Sequence, residues 1–254
     1  MERNPYPGKL IVLEGLDGSG QTTQAHLLVK WFQEKRSQLA YYTKEPTDGP
    51  IGALIRLALS RRLSAPAGGK EFRPLDDTTM ALFFAADRTD HLHNDIVPKL
   101  RDGIHVIADR YYLSSFAYQS IRQDVEWLRQ INREATIPDL TVFLDVPPRV
   151  CVQRMNAQRW HVELYEDLAT LERVREQYRT VIQQQRLKGE RIEEVDGNQP
   201  LVDVHDQVVQ LVKGLLRNSI ARNGQQGPQL QQELEFLSET APLSALEIAA
   251  HSEG

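Results

Sequence analysis

Apolar runs closed by turn formers alternate with segments of helical spacing along most of this chain. "KLIVLEG" (9–15), "LAYYTKEP" (39–46), "GIHVIADR" (103–110), "LTVFLDV" (140–146) and "ERIEEVDG" (190–197) read as strands. The runs at 103–110 and 140–146 are continuous rather than alternating, as in parallel strands buried on both faces. Helical spacing predicts helices from Gln21, over 51–63, about 75–100, 112–132, 148–157, 165–187 and 200–216, with a loop at 64–74. Strands that alternate with helices in this way imply right-handed crossovers covering both faces of a sheet. The fold expected is α/β, a three-layer α/β/α sandwich with a central parallel sheet of about five strands. No repeat and no second domain is visible, so residues 1–216 read as one domain.

The polar, glycine-containing "RNSIARNGQQGPQ" (217–229) reads as a linker. Beyond it Leu230, Leu234 and Leu237 recur at helical spacing, which permits a short amphipathic helix, but the composition favours a flexible tail to residue 254. Charge separates this tail from the domain. Residues 218–254 hold five glutamates against Arg222 alone, so four of the five net negative charges sit there. A nearly neutral domain offers no basic face for a nucleic acid polymer, yet suits a small phosphorylated ligand held by a few arginines. No apolar run approaches the roughly 20 residues that span a bilayer, so no membrane association is expected. The opening "MERNPYPGK" lacks the apolar region of a secretory signal, and a single cysteine, Cys151, leaves no internal disulfide framework. The expected compartment is the cytoplasm.

Chemistry enters at "GLDGSGQTTQ" (15–24), between the first strand and the first helix. Glycines 15, 18 and 20 let backbone N–H groups turn inward toward a polyphosphate, and the helix behind adds its positive end. Thr22 offers a hydroxyl to Mg²⁺. The phosphate-loop pattern asks for lysine where this chain has Gln21, which donates a hydrogen bond but cannot neutralise a transferring phosphoryl group. The bland alternative, the lesser of the two for this segment alone, is a glycine-rich turn that binds nothing.

Four further segments bear on that choice. "KEPTDGPIG" (44–52) sets a cation, a carboxylate and a proline at a strand end. "LFFAADR" (82–88) puts Phe84 and Arg88 four apart on one helix face, where they can stack on a base and bond its edge. The bland alternative has both phenylalanines in the core and Arg88 in solvent. "DRYYLSSFAYQ" (109–119) begins at a strand end, where open α/β sheets bind ligands. "RMNAQRWHVELYED" (154–167) mixes arginines and carboxylates ahead of a long helix, as a mobile lid does. His91 and His93 point to different helix faces and make no metal pair, and Cys151 reads as a buried structural thiol. Trp31 reads as helix packing, Trp160 as part of the lid, and Arg61 with Arg62 as surface charge.

With these segments in this order, the chain resembles the thymidylate kinase family of phosphate-loop nucleoside monophosphate kinases over roughly residues 8–214. The resemblance rests on "LEGLDGSGQTTQ", "TKEPTDGPIG", "LFFAADR", "ADRYYLSSFAYQ", "DLTVFLDVPP", "ELYEDL" and "EVDGNQP". It implies transfer of the ATP γ-phosphoryl group to dTMP with Mg²⁺, a lid over about 154–166 and a homodimer. ATP would sit on Gly15, Leu16, Asp17, Gly18, Ser19, Gly20, Gln21, Thr22 and Thr23. The acceptor would meet Asp17, Lys44, Glu45, Pro46, Phe84, Arg88, Arg110, Ser115, Tyr118 and Tyr165. Thr22, Asp17, Asp109 and Glu166 would face the metal, and Asp17, Gln21, Arg110, Arg154 and Arg159 would carry catalysis. Lys44 stands where the family usually has arginine, keeping charge but losing a bidentate fork. Family members place a catalytic arginine in the phosphate loop or in the lid; Gly18 at the loop position makes this the lid type, with Arg154 and Arg159 supplying charge that Gln21 does not. Two alternatives stay open: a nucleotide-binding protein that has lost catalysis, and a kinase for another deoxynucleoside monophosphate such as dUMP, which differs from dTMP by one methyl.

Overall fold

The structure, a computed structural model, describes residues 1–34, 38–68, 71–158 and 167–223. A two-residue strand β1 (Glu2–Arg3) is followed by β2 (Leu10–Gly15), α1 (Gln21–Glu34), β3 (Ala40–Lys44) and α2 (Pro50–Leu59). Next come β4 (Ala65–Gly68), β5 (Glu71–Arg73), α3 (Asp77–His91), a π-helical turn Leu92–Ile96, α4 (Val97–Arg101) and β6 (His105–Asp109). The chain continues through α5 (Tyr112–Gln119), α6 (Val125–Ile131), β7 (Thr136–Ile137) and β8 (Leu140–Asp145). It closes with α7 (Pro148–Gln158), α8 (Leu168–Leu187), β9 (Ile192–Asp196) and α9 (Leu201–Asn223).

Five strands form one sheet in the order β3-β6-β2-β8-β9, every neighbouring pair parallel. The alternation of the pleat splits β2 between two cores. Leu10 and Val12 face α3, α5 and α8, through Ala81, Phe116, Val174 and Tyr178. Ile11 and Leu13 face α1 and α9, through Leu28, Phe32, Val208 and Val212. Both faces are thus covered, as the continuous apolar strands required. The carboxyl ends of β2, β3 and β6 (Gly15, Lys44 and Asp109) open on one edge of the sheet, where a ligand crevice forms in such folds. Among the described residues no helix is long and apolar enough to cross a membrane.

Several boundaries differ from the sequence expectation, each for a local reason. The helix expected over 75–100 is three segments, because Pro98 has no N–H and its ring crowds the carbonyl one turn earlier, where the π-turn widens the helix. The helix expected over 112–132 breaks at 120–124, where the Asp124 carboxylate accepts from Trp127 N and starts α6 anew. The loop at 64–74 contains an antiparallel ladder, β4 with β5. Strand β1 pairs with β7, a contact between distant segments that no local pattern announces. The closing helix runs to Asn223, so residues 217–223 are helical rather than linker. The tail beyond 223 lies outside the described residues.

Candidate active site

The phosphate loop is shaped by two glycines in the left-handed region, Gly18 at φ 81° and Gly20 at φ 95°. At Gly18 space is excluded as well: a Cβ there would stand 2.7 Å from Cys151 O and 3.0 Å from Met155 Cγ, both on α7. Any side chain at position 18, an arginine included, would press on the α7 backbone at Cys151. Gln21 opens α1, and its Oε1 accepts from Ser19 Oγ at 3.0 Å, so the amide is built into the loop. Arg154, on α7, lines the same pocket as the loop and donates to the carbonyls of Ser19 (3.3 Å), Gly18 (3.5 Å) and Gly197 (3.2 Å). Thr22 Oγ1 donates to Asp109 Oδ2 at 2.5 Å, while Asp109 Oδ1 is buried with no partner among the described residues. Burial raises the Asp109 pKa against the lowering pull of Arg110 and Thr22. A hydroxyl beside a carboxylate oxygen in need of a partner is a donor set that suits Mg²⁺, which takes one or two protein carboxylates and completes its shell from phosphates and water.

Arg110 stands where the β6 end meets the loop. It adopts φ 71°, costly for a side-chain-bearing residue, and is held there from several sides. Its Nη2 donates to Asp17 Oδ1 at 2.7 Å, and its Nη1 to Gly15 O and Ser114 Oγ at 3.0 Å each. Burial works against this charge, but Asp17 holds the pKa above its ordinary value. Tyr118 Oη donates to Asp17 Oδ2 at 2.9 Å, so both Asp17 oxygens are engaged.

Two adjoining pockets share Asp17, Glu45, Pro46, Leu59 and Arg110. The larger holds the phosphate loop with Lys44, Arg56 and Arg154. The other is lined by Phe84, Arg88, Ser115, Tyr118 and Gln119. Arg88 is no surface charge. It is 2% exposed, pairs with the equally enclosed Glu45 at 2.8 Å, donates to Ser115 Oγ at 3.0 Å and bonds Asn132 Oδ1. Cys151 is buried, and burial pushes its thiol up to about 12, which fits the structural role expected of it.

The segment from Lys44 to Asp48 is held by residues that spacing did not single out. Asp87 accepts from Thr47 N (2.8 Å) and Thr47 Oγ1 (2.6 Å). Arg56 donates to Pro46 O at 3.2 Å and bonds Thr47 O. His91 is buried between Thr43 Oγ1 (2.6 Å) and Glu45 Oε1 (3.2 Å). Lys44 reaches Asp48 at 3.3 Å from a half-exposed position at the pocket rim. Gln119, nine-tenths buried on the pocket wall, has an amide oxygen with no partner among the described residues. Its helical spacing from Ser115 was the available signal.

The structure therefore gathers Asp17, Gln21, Thr22, Lys44, Glu45, Pro46, Phe84, Arg88, Asp109, Arg110, Ser115, Tyr118 and Arg154 around one divided cleft. Of the lid expected over 154–166, residues 154–158 end α7. Arg159, Trp160, Tyr165 and Glu166 lie outside the described residues.

Comparison with known proteins agrees with this geometry. The sequence profile of the family described as "Thymidylate kinase" matches residues 13–208. A "Probable thymidylate kinase" of Thermococcus gammatolerans is 39% identical over 81% of this chain and 96% of its own. Another from Thermococcus onnurineus is 41% identical over 80% of this chain and 96% of its own. One from Pyrococcus horikoshii is 39% identical over 81% and 96% of the two chains.

Proposed function

The chain belongs to the thymidylate kinase family, and we propose that it transfers the γ-phosphoryl group of ATP to dTMP, giving ADP and dTDP. The observation that carries this reading is the divided cleft, whose two pockets meet at Arg110 and Asp17. The loop side takes the donor phosphates and the Phe84–Arg88 side takes a pyrimidine. Phe84 supplies a ring face, and Arg88 with Ser115 supplies donors to the base edge. The free Gln119 oxygen supplies an acceptor for a ring N–H. A 5-methyl contributes only about 1–3 kcal/mol, so preference for dTMP over dUMP is a matter of packing in this pocket. Tyr165 closes the sugar side in the family resemblance.

Donor and acceptor phosphates repel, and most of the work of such a site is to hold them in line and offset their charge. Arg110 lies between the two phosphate positions, aimed by Asp17. Asp17 Oδ1 is taken by Arg110 and Oδ2 by Tyr118, so we assign the metal to Thr22 and Asp109, with Glu166 as a further candidate. Thr22 and Asp109 would hold Mg²⁺ there, and it would supply positive charge against the donor phosphates. Arg154, assisted by Arg159, supplies on the α7 side the positive charge that Gln21 lacks. Lys44 and Arg56 add positive potential at the rim. A reducing cytoplasm suits a lone thiol and an ATP-consuming reaction.

Coupled ADP release with ATP, Mg²⁺ and dTMP tests the reading. Turnover by the natural chain is expected, with kcat about 10²-fold lower in Arg154→Ala, as for loss of one preorganised charge donor. Absence of turnover from both the natural chain and Gln21→Lys, with nucleotide still bound, would sink the kinase and leave a binding protein.

We also propose a homodimer formed through α2 and α3, which pack together and leave Leu54, Leu57 and Leu82 exposed at 41%, 37% and 47%. Light scattering should give twice the chain mass, falling to one chain mass in Leu54→Glu/Leu82→Glu. A natural chain that stays monomeric at high concentration would reject it.

A further inference from the structure

Glu14 closes the apolar run of β2 and has no part in the transfer described above. It is fully buried, and Arg110 is the cation beside it. Its Oε1 accepts from Tyr111 N at 2.9 Å and Ser114 N at 3.2 Å. Its Oε2 accepts from Ser114 Oγ at 2.6 Å and Tyr178 Oη at 3.0 Å. Ser114 Oγ is in turn 3.0 Å from Arg110 Nη1. An ionised carboxylate only accepts and a guanidinium only donates, so hydrogen directions follow. The shortest contact, 2.6 Å, takes the Ser114 proton to Glu14 Oε2, which leaves the two Ser114 lone pairs for Arg110 and for Tyr178 Oη at 2.8 Å.

We propose that Glu14 is a positioning residue for Arg110: its ionised carboxylate fixes the Ser114 hydroxyl as an acceptor and thereby aims the guanidinium at the acceptor phosphate. The inference rests on the reading that Arg110 binds that phosphate. The groups facing Glu14 are Arg110 and Ser114 around the start of α5, the Tyr112 phenol on α5, and the Tyr178 phenol on α8; β8 presents Phe143. Both phenols are held well above their ordinary pKa, chiefly by burial, and stay neutral. Burial also pushes the Glu14 carboxyl up to about 7, against the lowering pull of Ser114, Arg110 and Tyr178. A proton on Oε2 turns that atom into a donor. Where Ser114 Oγ accepts from it, the Ser114 proton has to turn away from Glu14, toward Tyr178 Oη at 2.8 Å or toward Arg110, and the hydroxyl no longer holds the orientation that the carboxylate fixed.

Acceptor affinity should therefore fall as pH falls through about 7. Fold stability runs the other way. The folded pKa is raised above the unfolded one, so the contribution of Glu14 to stability is full below the ordinary carboxylate range and is lost as pH rises through about 7. A carboxylate that costs stability under working conditions serves the site rather than the fold.

The experiment measures kcat/KM for dTMP and for ATP from about pH 5.5 to 8.5, with Tm at both ends, for the natural chain, Glu14→Gln and Ser114→Ala. Dividing the natural profile by that of Glu14→Gln cancels titration of the nucleotide phosphate itself. The quotient for dTMP is expected to rise about tenfold with a midpoint near 7, the worth of roughly one charge-assisted hydrogen bond. Ser114→Ala should lose the same rise, KM for ATP should move less than about twofold, and Glu14→Gln should not melt below the natural chain at the alkaline end. A flat quotient alongside normal turnover overturns this inference alone. So does a loss shared equally by both substrates with a lowered Tm. No turnover at any pH overturns the kinase reading and this inference together.

Discussion

Arg110→Ala is expected to lower kcat/KM for dTMP by about 10³-fold or more, the scale on which a single arginine acts in phosphoryl transfer. Among the described residues it is the one cation lining both pockets, and no neighbour reaches its place. Arg88 is tied to Glu45, Ser115 and Asn132 on the base side. Arg154 is tied to loop carbonyls on the donor side. Truncation also leaves Asp17 without its ion pair beside the incoming phosphates, so lost attraction and new repulsion add. Lysine would restore the charge but not the fork that binds Asp17, Gly15 O and Ser114 Oγ together, so Arg110→Lys should recover only part of the loss. Steady-state rates for the three proteins at saturating ATP decide the matter. A loss below about tenfold for alanine would mean that the acceptor phosphate is held elsewhere.

How much of this site could be read from the chain depends on how locally each residue acts. The phosphate loop was legible because its glycines, strand and helix are contiguous, and the parallel sheet because its strands are apolar on both faces. Phe84 and Arg88 were legible as a helical pair, although only packing shows that the arginine is enclosed. Glu14, Asp87 and His91 were not. Glu14 meets Ser114 and Tyr178 only because β2 lies between β6 and β8, and Asp87 meets Thr47 only because α3 folds back on the end of β3. Spacing placed His91 and His93 on different faces correctly, but could not say which face is buried. Gly18 was visible in the chain, but the approach of Cys151 and Met155 to it appears only once α7 is in place. Helix boundaries slipped where a proline or a cap acted within a longer apolar pattern.

Arg88→Ala should be the most destabilising single change in the acceptor pocket. Arg88 and Glu45 are each 3% exposed as side chains, and truncation leaves the Glu45 carboxylate buried with His91, at 3.2 Å, as its one partner among the described residues. Breaking one side of such a pair costs about 3–5 kcal/mol. At roughly 2–4 °C per kcal/mol for a chain of this size, Tm should fall by about 6–20 °C. Use of dTMP should fall too, but the two losses have separate causes. Arg88→Met/Glu45→Gln removes both charges and keeps most of the volume, so it should regain most of the stability. It should not regain dTMP affinity, because neither replacement returns the guanidinium donors beside Ser115. Recovery of Tm without recovery of KM would place base recognition in the guanidinium itself. Recovery of both would mean that Arg88 only supports the pocket wall, and that Ser115 and Gln119 read the base.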